Sequence, residues 1–379
     1  MKVLISGGAG FIGSSLALKL LTKKYNVRIL DNLSSQIHGK KPDNSYTYNL
    51  IKNNSDIEFI NGDVRDRADW QKALVGIDVV VHLAAETGTG QSMYEVEKYV
   101  NTNIGGTATM LDELTNDKTL SVKKLIVASS RAIYGEGKYK CSKDGIVYPK
   151  TRAEEDMLNG DFRVKCPACH QPAKMLPTDE ASVSHPESVY GYTKKVQEEL
   201  SLLVGKSIGL SVLAFRFQNV YGPGQSLKNP YTGILSIFST QIKNGNDICV
   251  FEDGKESRDF VYIDDAIDAI ILGIESKNHV GEAYNVGAEE EVDVLTVAET
   301  LRDKYHSNVK VAISGNFRLG DIRSNVADLT KIRRDLHYRP KINFQVGISN
   351  FVDWVEQQEI ERDNYSNSIA EMHTKGLYK

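Results

Sequence analysis

Lys2-Val3-Leu4-Ile5-Ser6-Gly7-Gly8-Ala9-Gly10-Phe11-Ile12-Gly13 opens the chain, and its reading decides the fold. A short apolar run stops at a glycine cluster and passes into the helical pattern Phe11–Leu21, the order strand, turn, helix. Gly7, Gly10 and Gly13 have separate tasks there: a tight turn, close backbone approach to a pyrophosphate, and close packing of helix on strand. The first turn of the helix, at Phe11 and Ile12, then offers free N–H groups and a positive dipole end to phosphates. A glycine turn alone is weak evidence. Here a second strand, Val27–Leu30, follows and ends at Asp31, where a carboxylate accepts hydrogen bonds from a ribose hydroxyl and repels a 2′-phosphate. Asn32, Leu33 and Ser34 bring no arginine to reverse that preference, so NAD is expected rather than NADP.

Working outward, short Val/Ile/Leu-rich runs recur at Ile57–Ile60, Val79–Leu83 and Lys124–Ala128, with helical patterns between them, clearest at Met93–Leu114. Such runs read as buried parallel strands joined by helical crossovers. The expected fold is a doubly wound α/β (Rossmann) sheet with its ligand crevice at the strand C-termini. A helix over Val189–Leu203 and a strand at Ser211–Phe215 continue the pattern. We divide the chain into a dinucleotide-binding domain at 1–215, a smaller substrate-binding lobe at 216–357, interleaved with the first, and a polar tail at 358–379 that is frayed or loosely docked. Residues 138–177 interrupt the domain as a polar, proline-containing insertion holding three of the four cysteines.

The composition narrows the function. The 379 residues carry 46 Lys+Arg against 50 Asp+Glu, a net charge of −4, which argues against a nucleic-acid-binding surface. No apolar run approaches the roughly 20 residues of a membrane helix, and the N-terminus lacks a secretory pattern. Four cysteines make no disulfide framework. A cytoplasmic enzyme is expected.

The pair Tyr190 and Lys194 lies four residues apart on the expected helix, on one face. A free phenol, with a pKa of about 10, is a poor base at neutral pH. A neighbouring ammonium and a cationic nicotinamide ring would favour the phenolate, letting Tyr190 take a hydroxyl proton while hydride leaves the same carbon. Ser130, just past the fifth strand, would hydrogen-bond that oxygen. A Tyr/Lys surface pair is the plain alternative, and Tyr192 the nearest competitor as base, but Tyr192 faces elsewhere.

Taken in order, Gly7–Gly13, Asp31, Gly62-Asp63, His82-Leu83-Ala84-Ala85, Asn103 with Gly106-Thr107, Ser129-Ser130-Arg131-Ala132-Ile133-Tyr134-Gly135, Tyr190-Gly191-Tyr192-Thr193-Lys194, Arg216 through Pro223, Arg258-Asp259-Phe260-Val261 and Asn285-Val286-Gly287 resemble the extended short-chain dehydrogenase/reductase family, in particular its nucleotide-sugar epimerases and dehydratases. The resemblance runs over roughly residues 1–350, the insertion apart. It implies Ser130, Tyr190 and Lys194 as catalytic residues. Asn32, Asp63, Val64, Leu83, Ala84, Ala85 and Asn103 join the glycines and Asp31 around NAD. Asn219, Arg258 and Arg318 meet a nucleotide diphosphate, Glu86 or Thr89 lies near the sugar, and a homodimer forms on helices flanking Tyr190. In the related dehydratases an Asp-Glu pair follows the serine; Arg131-Ala132 stands here, which disfavours elimination. The expected reaction is inversion at C4 of a nucleotide-diphospho-sugar through a 4-keto intermediate. Rival readings are a net 4-keto reductase and a non-catalytic nucleotide-sensing scaffold. His82 through Glu86, the cysteine-bearing insertion and Thr178-Asp179-Glu180 look most like dTDP-L-rhamnose 4-epimerases.

In the insertion, Cys166-Pro167-Ala168-Cys169 has the spacing of a zinc knuckle, and Cys141 with Asp144 imitates a second. These four could close one structural zinc site, with His170 as rival fourth ligand. The plain alternative is an insertion of free thiols without metal. Ser130 and Tyr190 are 60 residues apart, about twice the spacing the resemblance implies, and the insertion fills the excess. Cys249, in an apolar run, is expected to be a buried core thiol.

Overall fold

The computed structural model describes residues 1–229, 231, 233–277 and 281–379. Seven parallel strands form its central sheet: β1 (Lys2–Ser6), β2 (Asn26–Asp31), β3 (Ile57–Asn61), β4 (Val79–His82), β5 (Lys124–Ser130), β6 (Ser211–Phe217) and β7 (Glu282–Val286). Their order across the sheet is β7-β6-β5-β4-β1-β2-β3. The strands read as unbroken apolar runs because both faces are covered. Val3, Ile5, Val27, Ile29, Val79 and Val81 point to one hydrophobic core, while Leu4, Leu30, Val80, Leu125 and Val127 point to the other, the two-residue alternation of a strand applied to a sheet without a wet side. Sheet order reverses between β1 and β4, so the loops after β1, β4 and β5 open on one crevice.

Helix α1 (Phe11–Thr22) follows the glycine turn, and α2 (Val189–Ile208) carries the Tyr/Lys pair. Ser188 caps α2 by accepting a hydrogen bond from Gly191 N, and Gly209, left-handed, ends it, an asymmetry of caps that fixes both ends. The expected helix Met93–Leu114 is instead broken: Val96–Tyr99 and Gly106–Asn116 are α-helical, and Val100–Gly105 between them is a wider π-type turn. The widening buries Asn103 completely.

The lobe mixes into the first domain through β7. Its own parts include a small sheet built on Ser257–Tyr262 and a two-stranded sheet of Ile248–Val250 with Val311–Ile313. The C-terminal segment, expected to be frayed or loosely docked, is docked through specific contacts. Tyr365–Thr374 is helical, and the last residues pair backbone to backbone with 317–319, Leu319 N donating to Leu377 O at 2.9 Å. Met372 is buried, and Tyr378 stacks 5.3 Å from Phe251. A few apolar side chains spaced among polar ones anchor the segment, and composition alone does not reveal them. No helix among the described residues is long and apolar enough to cross a membrane.

Candidate active site

The crevice has a volume of about 1030 Å³ and is lined by the glycine turn, the ends of β2, β4 and β5, the start of α2, and lobe residues. Gly7 has φ +72°, and a Cβ there would lie 2.7 Å from Ala84 N; at Gly13 a Cβ would lie 2.3 Å from Gly7 O. Only glycine lets α1 start this close to β1, which leaves its N-terminus open to a phosphate. Asp31, at the end of β2, accepts hydrogen bonds from Ala9 N (2.9 Å) and Leu33 N (2.8 Å). Burial raises its pKa, and the two N–H groups pull it back. His38, missed in the sequence, stands 3.9 Å from Asp31; burial lowers its pKa, opposed by the Asp31 charge.

Gly7, Gly10, Phe11, Ile12, Gly13, Asp31, Asn32, Val64, Leu83, Ala84 and Ala85 all line the crevice. Two of the expected cofactor residues do not. Asp63 directs its carboxylate to Arg65 (2.7 and 2.9 Å) and Asn32 (3.0 Å), and Arg65 first among these holds its pKa down at about 2; its neighbours Gly62 and Val64 form the wall. Asn103 is spent on scaffolding, bridging the backbone of Glu86 and the Thr193 hydroxyl. The glycine cradle and Asp31 fit NAD. Gly13→Val is therefore expected to abolish tight NAD binding, read from the cofactor content of purified protein and by calorimetric titration. A folded, NAD-replete variant would contradict that fit.

Ser130, Tyr190 and Lys194 meet in the same crevice. Ser130 Oγ accepts from Ala132 N at 3.1 Å, which aims the hydroxyl at the end of β5. The electrostatics differ from the expected arrangement. Lys194 is buried and donates to Gln197 Oε1 at 2.6 Å, and burial lowers its pKa to about 7. Burial raises the Tyr190 phenol, opposed by a hydrogen bond to Ser130 and by the charge of Arg131. Without cofactor the phenol thus stays protonated, and the cation acting on it is Arg131. Lys194 is positioned by a buried polar chain in which Gln197 donates to Thr107 (2.9 Å), Thr107 meets His82 (3.0 Å), and His82 meets Ser6 (2.6 Å). Below it, Glu198 ties α2 to β5 and β6 through Ser129 (2.5 Å) and Arg216 (2.6 Å).

The lobe supplies the far wall. Asn219, Arg258 and Arg318 line it, and Glu86 and Thr89 line the crevice from the first domain. Arg318 pairs with Asp321 at 2.7 Å and lies 5.4 Å over the Phe251 ring, so it is both ion-paired and in the crevice. Arg258 is buried, and among the described residues it donates to the carbonyls Ser257 O (2.7 Å) and Arg323 O (3.1 Å). Arg131, read in the sequence only as the absence of an acid, donates Nε to Asn219 Oδ1 at 2.8 Å. Among the described residues no carboxylate pairs with it, and burial, then the nearby Arg258, lowers its pKa to about 9. Glu256, also unforeseen, is buried in the wall, and burial ahead of the Glu252 charge raises its pKa to about 7. Tyr365, from the supposed tail, completes the lining. Cys249 is not a core thiol: Ile248 and Val250 take the inward positions of their strand, and Cys249 faces the crevice, half-buried.

Comparison with known proteins identifies the family. The sequence profile of the NAD dependent epimerase/dehydratase family matches residues 3–156 and 166–287. A dTDP-L-rhamnose 4-epimerase of Burkholderia thailandensis is 33% identical over 368 residues, covering 96% of this chain and 97% of its own. Among solved structures, a UDP-glucuronic acid 4-epimerase from Bacillus cereus, in complex with UDP-glucuronic acid and NAD, is 27% identical with a TM-score of 0.76, covering 94% of this chain and 99% of that one. A UDP-N-acetylglucosamine 4-epimerase from Methanobrevibacter ruminantium, in complex with UDP-N-acetylmuramic acid, is 28% identical with a TM-score of 0.75 and the same coverage.

Proposed function

The chain belongs to the NAD-dependent epimerase/dehydratase family of nucleotide-sugar enzymes, and from that premise we propose that it inverts C4 of a nucleotide-diphospho-sugar, with dTDP-L-rhamnose and its C4 epimer as the first pair to test. One observation carries the reading: Ser130, Tyr190 and Lys194 converge on the glycine cradle, while Arg131-Ala132 occupies the position where the resemblance puts a dehydratase's acid and base. The dTDP-L-rhamnose choice is supported by the 33% identity to the Burkholderia enzyme over nearly the whole chain.

Bound NAD would be held by the glycine turn, Asp31 and the Leu83–Ala85 wall, and the chemistry it supplies is reversible hydride acceptance. Tyr190 removes the C4 hydroxyl proton as that carbon is oxidised. Ser130 hydrogen-bonds the oxygen as it becomes a carbonyl. The charge of Arg131 favours the phenolate, and Lys194, one turn along α2, would add to it in its protonated form. Turning of the 4-keto sugar about its diphosphate bonds would present its other face to the hydride that bound cofactor would give back, and Tyr190 would return the proton to the oxygen. Arg258, Arg318 and Arg131 form the cationic side of the wall and, with the Asn219 amide, suit the diphosphate, with Glu86 or Thr89 toward the sugar.

Offering dTDP-, UDP- and GDP-sugars without added cofactor and following C4 by NMR tests the reading. Equilibration of a C4 pair supports it; stoichiometric consumption of added reduced cofactor would instead mark a net reductase. Arg131→Met is expected to raise KM for the nucleotide sugar about tenfold or more, the worth of a charge-assisted hydrogen bond, with NAD content unchanged. An unaltered KM would remove Arg131 from the binding wall.

A homodimer and cytoplasmic residence belong to the same proposal. Exposed Val96, Val100, Tyr192 and Leu203 on the helices flanking Tyr190 suit a subunit interface, which light scattering would read as twice the chain mass. Four unpaired cysteines suit a reducing compartment.

A further inference from the structure

Outside the crevice, the insertion gathers four ligand-type side chains. Its strands Tyr139–Cys141 and Gly145–Val147 form a hairpin that brings Cys141 and Asp144 together. The Cys166–Cys169 turn comes back onto that hairpin from 22 residues further along the chain. The Sγ atoms of Cys141, Cys166 and Cys169 and one Asp144 oxygen all lie within 4.8 Å of one another. The shortest approaches are Cys166 to Asp144 at 3.1 Å, and Cys141 to Asp144 and to Cys169 at 3.4 Å each. A tetrahedral zinc with Zn–S bonds of about 2.3 Å and a Zn–O bond of about 2.0 Å sets its ligand atoms about 3.5–3.8 Å apart. The Sγ–Sγ distance is far longer than a disulfide bond of about 2.05 Å.

We propose that Cys141, Asp144, Cys166 and Cys169 hold one structural zinc ion. Two backbone N–H groups point at the sulfurs as they do at metal-bound thiolates: Lys143 N to Cys141 Sγ and Ala168 N to Cys166 Sγ, each at 3.4 Å. The geometry also decides the fourth ligand that the sequence left open. His170 adopts φ +57° and lies exposed, outside the group, while Asp144 sits among the sulfurs. Four protein ligands close the coordination sphere, so the ion is structural and not catalytic.

The ion clamps both ends of the segment between Asp144 and Cys166, and the middle of that segment reaches the substrate wall. Met157 and Phe162 pack with Phe317 and Leu319, the residues on either side of Arg318. The hairpin's first strand begins at Tyr139, four residues past Gly135 in the chain that leaves the serine end of β5. The zinc therefore braces the nucleotide-sugar side of the crevice and leaves the NAD side alone.

The test is elemental analysis of the full chain, purified without a histidine tag, beside cobalt(II) substitution. About one equivalent of zinc per chain is expected, with thiolate-to-cobalt charge-transfer bands and intense tetrahedral visible bands after exchange. Asp144→Ala should lower the zinc content severalfold and change the cobalt spectrum, and His170→Ala should leave both as in the parent. Should Cys166→Ser fail to fold, the parent and Asp144→Ala measurements still decide. Less than about a tenth of an equivalent of zinc in the parent, or a Cys141–Cys169 disulfide recovered from it, overturns the site. Zinc kept by Asp144→Ala but lost by His170→Ala overturns the ligand set.

Discussion

Replacing Tyr190 by phenylalanine is expected to lower kcat for C4 inversion by about a thousandfold or more, the upper range of a general acid–base contribution, while NAD content and thermal stability stay near those of the parent. The substitution removes one oxygen from a side chain whose ring is held independently, edge-on to Tyr99 at 6.5 Å. The phenol is the only group that the account gives both the forward and the return proton. Burial raises its pKa in the cofactor-free protein and lowers that of Lys194 to about 7, so the phenolate should form only in the loaded enzyme. Spectrophotometric titration of Tyr190, comparing protein with and without NAD, should show the phenol moving down on loading. Near-parent turnover in the phenylalanine variant would mean that the base lies elsewhere.

Arg152→Met is expected to cost about 3–5 kcal/mol of folding stability, the usual penalty for stranding buried charge. Arg152 is buried in the insertion and forks onto Glu252 with two bonds of 2.7 Å, and it pairs with Glu136 at 3.2 Å. Both glutamates are 1% exposed. Arg323 covers part of the group, at 2.9 Å from Glu252, but cannot replace a second guanidinium. Urea unfolding should show a lower midpoint with unchanged slope. Arg152 also donates to Asp321 O at 3.0 Å, and Asp321 holds Arg318 in the crevice. KM for the nucleotide sugar should therefore rise while NAD affinity holds. A stability loss below about 1 kcal/mol would show that the network relaxes or takes in water.

The parts of the molecule legible in the sequence are those dictated by neighbours along the chain. Val3 and Ile5 serve one core and Leu4 the other, so a continuous apolar run already specifies a strand buried on both faces. Gly7 and Gly13 are readable because a left-handed turn and a helix–strand contact leave no room for a Cβ. Ser130, Tyr190 and Lys194 are readable because spacing puts two on one helix face and the third at a strand end. What escaped is the choice of partner each polar side chain makes once the chain has folded. Gln197 captures Lys194 through a chain that ends at Ser6. Arg131 turns toward Asn219, a residue on another strand. Asn103 and Asp63 bear the right side chains but spend them on Glu86, Thr193, Arg65 and Asn32. The C-terminal segment looks disposable in composition, yet Met372 and Tyr378 dock it, and Tyr365 joins the crevice.

Under the proposed reaction, C4 is oxidised and then re-reduced by the same bound cofactor, with Tyr190 handling the proton. A dTDP-L-rhamnose carrying deuterium at C4, incubated in ordinary water without added cofactor, tests it most directly. The account predicts that the C4 epimer forms with its deuterium retained at C4. Replacement of that deuterium by solvent hydrogen during inversion would contradict it.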